Sequence, residues 1–374
     1  MNLVEFVPPT PHPLWRLCPQ MGITDVIVKV NPDLTGLADP WRLSTLRSIV
    51  ERLKVEGLNV VGLEGDPFDM TPIKEYGARV GDKSSSWRKE DSTLQLQLAT
   101  PTKNNPVKEN PATLRETTLA HYRELLESMG KLGIKLLCYN FMVGKGWSRT
   151  GVREGRGGAK ATYFSQGETE RNRTSDLGLK TSNAEVRSPE SEVLLISHEQ
   201  VWANYEYFIK AVMPTAEKCG VRMALHPDDP CLPSLGGYAR IFGSVEAYDR
   251  AYALCPSPSN AVTFCQANFK LMGVDLDATA RHFGKRIAFI HVRDVDGTKE
   301  DFTELFHDQG TTDQFALMRT YRELGLDVPL RGDHVPEMAY DRELTPEGTP
   351  GYFTLGRLFA NGYLNALLKG TSNA

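Results

Sequence analysis

Two imidazoles, a thiol and a carboxylate stand at the ends of four short apolar runs. The runs read MALHPDD, VTFCQ, AFIHVRD and PLRGDH, and the residues are His226, Cys265, His291 and Asp333. Neutral imidazole, thiolate and carboxylate are side chains that hold a divalent transition ion. Four such donors with a position left open for substrate suit a catalytic metal better than a closed structural one. Each residue alone has an ordinary explanation: a hydrogen-bonded core histidine, a cysteine filling apolar space, an aspartate capping a helix. Four of them at successive strand ends are hard to obtain by accident. Asp228, Asp229 and Asp294 lie just beyond and are candidates to orient the imidazoles from behind.

The spacing implies the elements that position these groups. The intervals from 226 to 265, 265 to 291 and 291 to 333 each fit one strand–loop–helix–loop unit. Eight apolar runs read as buried strands: 4–8, 25–30, 59–65, 134–141, 221–226, 261–265, 286–292 and 327–333. Between them, 40–57, 114–133, 196–220 and 313–325 carry apolar residues at helical spacing, and several end at glycine. Alternating strands and helices predict parallel pairing with right-handed crossovers. The expected fold is α/β, a (β/α)₈ TIM barrel, with an open doubly wound sheet as the alternative. Residues 1–374 then form a single barrel domain with insert loops at about 80–112 and 143–190 on the C-terminal face. The second insert carries Trp147, Tyr163 and Phe164 and reads as a lid.

Composition narrows the class. With 40% hydrophobic and 24% charged residues, the chain can build a large core. A net charge of −4 gives no basic surface for nucleic acid. No apolar run approaches the length of a membrane span, and the start of the chain lacks a secretory pattern. Six scattered cysteines, with no CxxC pair, fit reduced thiols in a cytoplasmic enzyme. A homo-oligomer is compatible with the sequence.

A metal with open positions chelates a hydroxy acid through its carboxylate and adjacent hydroxyl and eases loss of the α-proton. Eliminating water then needs a base for that proton and an acid for the departing hydroxyl. His334, next to Asp333, and Tyr352, in PGYFTLGRL, are the candidates. His334 can serve only if the strand has already turned there, since adjacent residues of a strand point opposite ways. Arg149, Arg293, Arg331 and Lys145 are candidate clamps for the substrate carboxylate.

These motifs resemble the mannonate dehydratases, relatives of the xylose-isomerase-like barrels. The resemblance rests on CYNFM (138–142), GWSRTG (146–151), LHPDDP (225–230), TFC (263–265), IHVRD (290–294), RGDH (331–334) and PGYFTLGRL (350–358). It implies a (β/α)₈ barrel that removes water from D-mannonate to give 2-dehydro-3-deoxy-D-gluconate, with Mn²⁺ or another divalent ion such as Mg²⁺, Fe²⁺ or Co²⁺. It assigns His226, Cys265, His291 and Asp333 to the metal, and His334 and Tyr352 to proton transfer. Asn140, Arg149, Arg293 and Arg331 fall on the substrate side. Three segments depart from the family pattern: IVKVNPDLTG (27–36) where a His-His-Ile-Pro-Asn-Gly-like segment is expected, RGDHVPEM in place of an Arg-Pro-Asp-His-Gly segment, and QANFKLMG (266–273) after Cys265. All three fall where substrate would sit. A related aldonic acid, an isomerisation, and a non-catalytic sugar-acid-binding barrel therefore remain open alternatives at this point.

Overall fold

The computed structural model describes residues 1–30, 39–75, 111–144, 146–176 and 195–372. The strands, in chain order, are β1 (Asn2–Leu3), β2 (Glu5–Val7), β3 (Asp25–Lys29), β4 (Asn59–Glu64), β5 (Leu136–Tyr139), β6 (Gly151–Glu154), β7 (Lys160–Ser165) and β8 (Arg222–Leu225). There follow β9 (Ser234–Leu235), β10 (Tyr238–Ala239), β11 (Asn260–Cys265), β12 (Ile287–Val292), β13 (Val295–Thr298), β14 (Asp301–Glu304) and β15 (Pro329–Gly332).

The large sheet runs β1-β15-β12-β11-β8-β5-β4-β3-β2, with every pair parallel. β1 and β2 are separated only by Val4. One pairs with β15 and the other with β3, so a single interrupted strand closes the sheet into the expected eight-stranded barrel. Runs rich in Val, Ile and Leu can lie here because both faces are covered. The inner face is filled by Val4, Phe6, Ile27, Leu136, Cys138, Ala224, Ala261, Ala288 and Phe289. Alternate residues, such as Val26, Val28, Leu137, Met223, Phe264 and Ile290, pack outward against the helices.

The helices fall where the apolar periodicity places them: Leu43–Val55, Pro111–Leu132, His198–Cys219 and Gln314–Glu323. The third shows the local rules plainly. Ser197 accepts from the Gln200 N–H at its start, and Gly220 ends it at φ 63°, a left-handed conformation that suits a residue without Cβ.

The two expected inserts differ. Most of 80–112, up to residue 110, lies outside the described residues. The described part of 143–190, which reaches residue 176, holds regular elements. It carries β6, β7 and the helix Gln166–Asp176, and β6 and β7 join β13 and β14 in an antiparallel sheet of order β13-β14-β7-β6. The sequence hides this sheet because β6 and most of β13 are polar or solvent-exposed. No described helix is long and apolar enough to cross a membrane.

Candidate active site

β8, β11, β12 and β15 are consecutive in the barrel. His226 follows β8, Cys265 ends β11, His291 is the penultimate residue of β12, and Asp333 follows β15. Their donor atoms all lie within 4.8 Å of one another. The four residues the spacing selected are therefore brought together at the C-terminal mouth of the barrel, where β/α barrels carry their chemistry.

The protein-only contacts leave this cluster unfinished. His291 is fully buried, yet neither ring nitrogen has a hydrogen-bond partner among the described residues. Buried polar atoms are ordinarily paired, so an imidazole without a protein partner inside a cluster of donors fits a metal ligand. Nδ1 of His226 lies 2.8 Å from the Pro227 carbonyl, which can only accept. That nitrogen must carry the proton, leaving Nε2 with its lone pair for an ion. Nε2 of His291 faces a Glu64 oxygen at 3.6 Å and Nδ1 faces Asp333 at 3.7 Å. The sulfur of Cys265 donates to Asn268 Oδ1 at 2.9 Å and receives an Arg293 N–H at 3.7 Å. The donor set fits a divalent ion.

The proton-transfer pair is also assembled. β15 ends at Gly332, so Asp333 and His334 have left the strand and both side chains converge, with His334 Nε2 3.7 Å from Asp333 Oδ1. Gly351, at φ 89° and bridged to Val335, turns the chain so that Tyr352 reaches back over the barrel. Tyr352 Oη lies 2.8 Å from His334 Nε2, and its ring packs on Phe6. Burial pushes the phenol well above its ordinary range, and the charge of Asp333 adds to that. Tyr352 is held as a neutral O–H.

The direction of the His334–Tyr352 bond follows from hydrogen counting. Nδ1 of His334 has two neighbours, Glu304 Oε1 at 3.1 Å and Arg149 Nη2 at 3.3 Å. Nη2 carries two hydrogens, and these go to Asp229 Oδ2 at 2.9 Å and Glu304 Oε1 at 2.6 Å. None remains for the imidazole. His334 therefore donates Nδ1–H to Glu304, and Nε2 accepts from Tyr352.

The arginines expected as substrate clamps are engaged elsewhere. Arg149 holds Asp229 and Glu304; Arg293 holds the same two carboxylates at 2.8 and 2.7 Å; Arg331 holds Glu64 at 2.7 Å and Asp333 at 2.9 Å. All three are buried. Burial pushes the Asp333 carboxyl up, but His334 and Arg331 outweigh it and hold the group well below the usual range. Asn140 accepts from Lys74 at 3.0 Å and from the Met142 N–H. Lys145 lies outside the described residues. Asp228, Asp229 and Asp294 do not orient the imidazoles: they bind the Phe242 N–H, the two arginines, and Lys270 with the Val295 N–H. Glu64 and Glu304 stand beside the rings instead. Neither follows a motif, and Glu304 lies on the accessory sheet, which leaves no trace in the barrel periodicity.

A family model for D-mannonate dehydratase (UxuA) matches residues 65–374. The chain belongs to that family. It is 30% identical over 275 residues to mannonate dehydratase 2 of Halalkalibacterium halodurans, covering 69% of this chain and 77% of the relative. Mannonate dehydratase from Streptococcus suis serotype 2 superposes with a TM-score of 0.76 at 24% identity, covering all of this chain and 95% of the other. A xylose isomerase domain protein from Planctomyces limnophilus shares the fold at a TM-score of 0.52 and 13% identity, over 100% of this chain and 98% of the other. Membership of the UxuA family makes this a hydro-lyase barrel, and the closed parallel sheet is the architecture that its relatives share.

Proposed function

We propose that the protein dehydrates D-mannonate to 2-dehydro-3-deoxy-D-gluconate and water. One observation carries this reading: four metal donors within 4.8 Å of one another, with the His334–Tyr352 pair directly beside Asp333. His226, Cys265, His291 and Asp333 would hold Mn²⁺ or another divalent ion, which when bound supplies Lewis-acid polarisation of the acid's carboxylate and 2-hydroxyl.

The residues divide the proton work by their hydrogen bonds. His334 has its lone pair on Nε2 and a carboxylate behind Nδ1, which stabilises the imidazolium formed on taking the C2 proton. The C2–H electrons become the C2–C3 double bond as the C3–O bond breaks. Tyr352 delivers its proton to the departing hydroxyl, which leaves as water. The resulting enol tautomerises to the 2-keto-3-deoxy acid. The hydrogen bond between the two residues then lets imidazolium return a proton to tyrosinate and resets the pair.

The test is incubation of the metal-loaded protein with D-mannonate and related aldonic acids in Mn²⁺, Mg²⁺, Co²⁺ or Zn²⁺. The expected product is a 2-keto-3-deoxy acid from D-mannonate. A C2 epimer or a ketose would replace dehydration with isomerisation, and binding without turnover would make the chain a sugar-acid receptor.

A further inference from the structure

Arg149, Arg293 and Arg331, three of the carboxylate clamps predicted from sequence, are neutralised by protein carboxylates, which raises the question of what receives the negative charge of a sugar acid. Around the mouth, Arg149, Arg293 and Arg331 are matched against Asp229, Glu304, Glu64 and Asp333. These groups alone leave one negative charge, or two with Cys265 as a thiolate. With Cys265 as a metal-bound thiolate, a divalent cation would bring the set only to neutrality, with nothing left for an incoming anion. Among the described residues, Lys29 is a further cation at the end of a barrel strand.

Lys29 is the last residue of β3. On this strand Val26 and Val28 pack outward with the helices while Ile27 faces the barrel interior. Alternation puts Lys29 on the inner face, one layer above Ile27. Its Cα partner on the neighbouring strand is Glu64, the carboxylate that touches His291 and Arg331. Lys29 is half-buried. Glu64 gives both oxygens to Arg331, at 2.7 and 3.2 Å. Among the described residues, no hydrogen bond or ion pair engages the Lys29 ammonium. The charge of Glu64 acts on this ammonium, but desolvation outweighs it, so a cation in this position favours an anion that arrives from outside.

We propose that Lys29 receives the acid group of the substrate and is the residue that selects a sugar acid over a neutral sugar. The assignment rests on the dehydratase reading for the identity of the acid. Lys29 binds and orients; the proton transfers belong to His334 and Tyr352.

The experiment compares wild type, Lys29→Met, Lys29→Gln and Lys29→Arg as full-length, Mn²⁺-loaded proteins. It measures metal content, the Kd of D-mannonate and of the neutral polyol D-mannitol, and KM and kcat for D-mannonate. A charge-assisted hydrogen bond corresponds to about 10- to 100-fold in affinity. The expected result is a loss of that size in the D-mannonate Kd and KM for Met and Gln, with metal content and D-mannitol affinity unchanged and most of the loss recovered in Lys29→Arg. Unchanged D-mannonate affinity in both neutral variants overturns the proposal, as does a loss accompanied by equal losses of metal or D-mannitol. If wild type forms no keto acid yet Lys29 still separates acid from polyol, the dehydratase reading fails and the Lys29 assignment stands.

Discussion

His334 and Tyr352 share one hydrogen bond, and its direction decides which of them can take a proton. Glu304 fixes Nδ1 as the protonated nitrogen, so Nε2 is the basic site and Tyr352 is the donor. Tyr352→Phe removes the only group in that pair that can protonate a leaving hydroxyl. It leaves the ring packed on Phe6 and the metal donors untouched. We expect full metal content by elemental analysis and a fall in kcat of about 10²-fold or more; turnover at the wild-type rate would remove Tyr352 from the acid role. At this scale the sequence was readable for metal-ligand residue types at or just past the end of an apolar run, as with His226, Cys265, His291 and Asp333. It was unreadable for the carboxylates that complete the site. Glu64 and Glu304 look like ordinary acids in sequence, because what distinguishes them is burial against particular partners, Arg331 and His291 in one case, Arg149, Arg293 and His334 in the other.

At the scale of elements, period and length revealed the barrel strands and their helices, since a buried parallel strand reads as a mostly apolar run. The accessory sheet was hidden, because β6 and most of β13 are polar or exposed. That sheet delivers Glu304 from the end of β14, and β6 follows directly on the segment that holds Trp147 beside His334 and Arg149 against Asp229. The last helix, Thr354–Gly370, is coupled to the same place. A Cβ at Gly356 would stand 2.5 Å from the Pro336 carbonyl and 2.9 Å from Val335 Cγ2, two residues of the segment that carries His334. Gly356→Ala must therefore separate that helix from the backbone after His334. We expect a loss of about 1–3 kcal/mol, read as a lower Tm, together with reduced kcat, because Tyr352 immediately precedes the helix. An unchanged Tm would show that the helix shifts without strain.

Across the whole molecule, barrel and accessory sheet are joined by buried ion pairs rather than by apolar surface alone. Arg149 and Arg293 lie between Asp229, which follows β8, and Glu304 of β14. Burial pushes the Glu304 carboxyl up, but Arg293, Arg149 and His334 outweigh it and hold the group at about 2. Glu64 is likewise raised by burial and brought down to about 2 by Arg331 and His291. In the unfolded chain each returns to the ordinary value near 4.3. A carboxylate whose folded value is depressed stabilises the protein above its unfolded value, and that contribution disappears as pH falls toward the folded value. The contribution is on the order of 3 kcal/mol for each group at neutral pH. The protein should therefore lose Tm steeply as pH is lowered from about 5 toward about 2, without a comparable loss between pH 5 and 7 from these two groups. Glu304→Gln tests the origin of that loss. It leaves Arg149 and Arg293 with Asp229 as their remaining shared carboxylate, so Tm at pH 7 should drop, while the decline from pH 5 downward becomes shallower because one titrating group is gone. Thermal melts across that range read both effects. An acid limb of unchanged steepness in the variant would mean that the joint between the two sheets does not depend on an ionised Glu304.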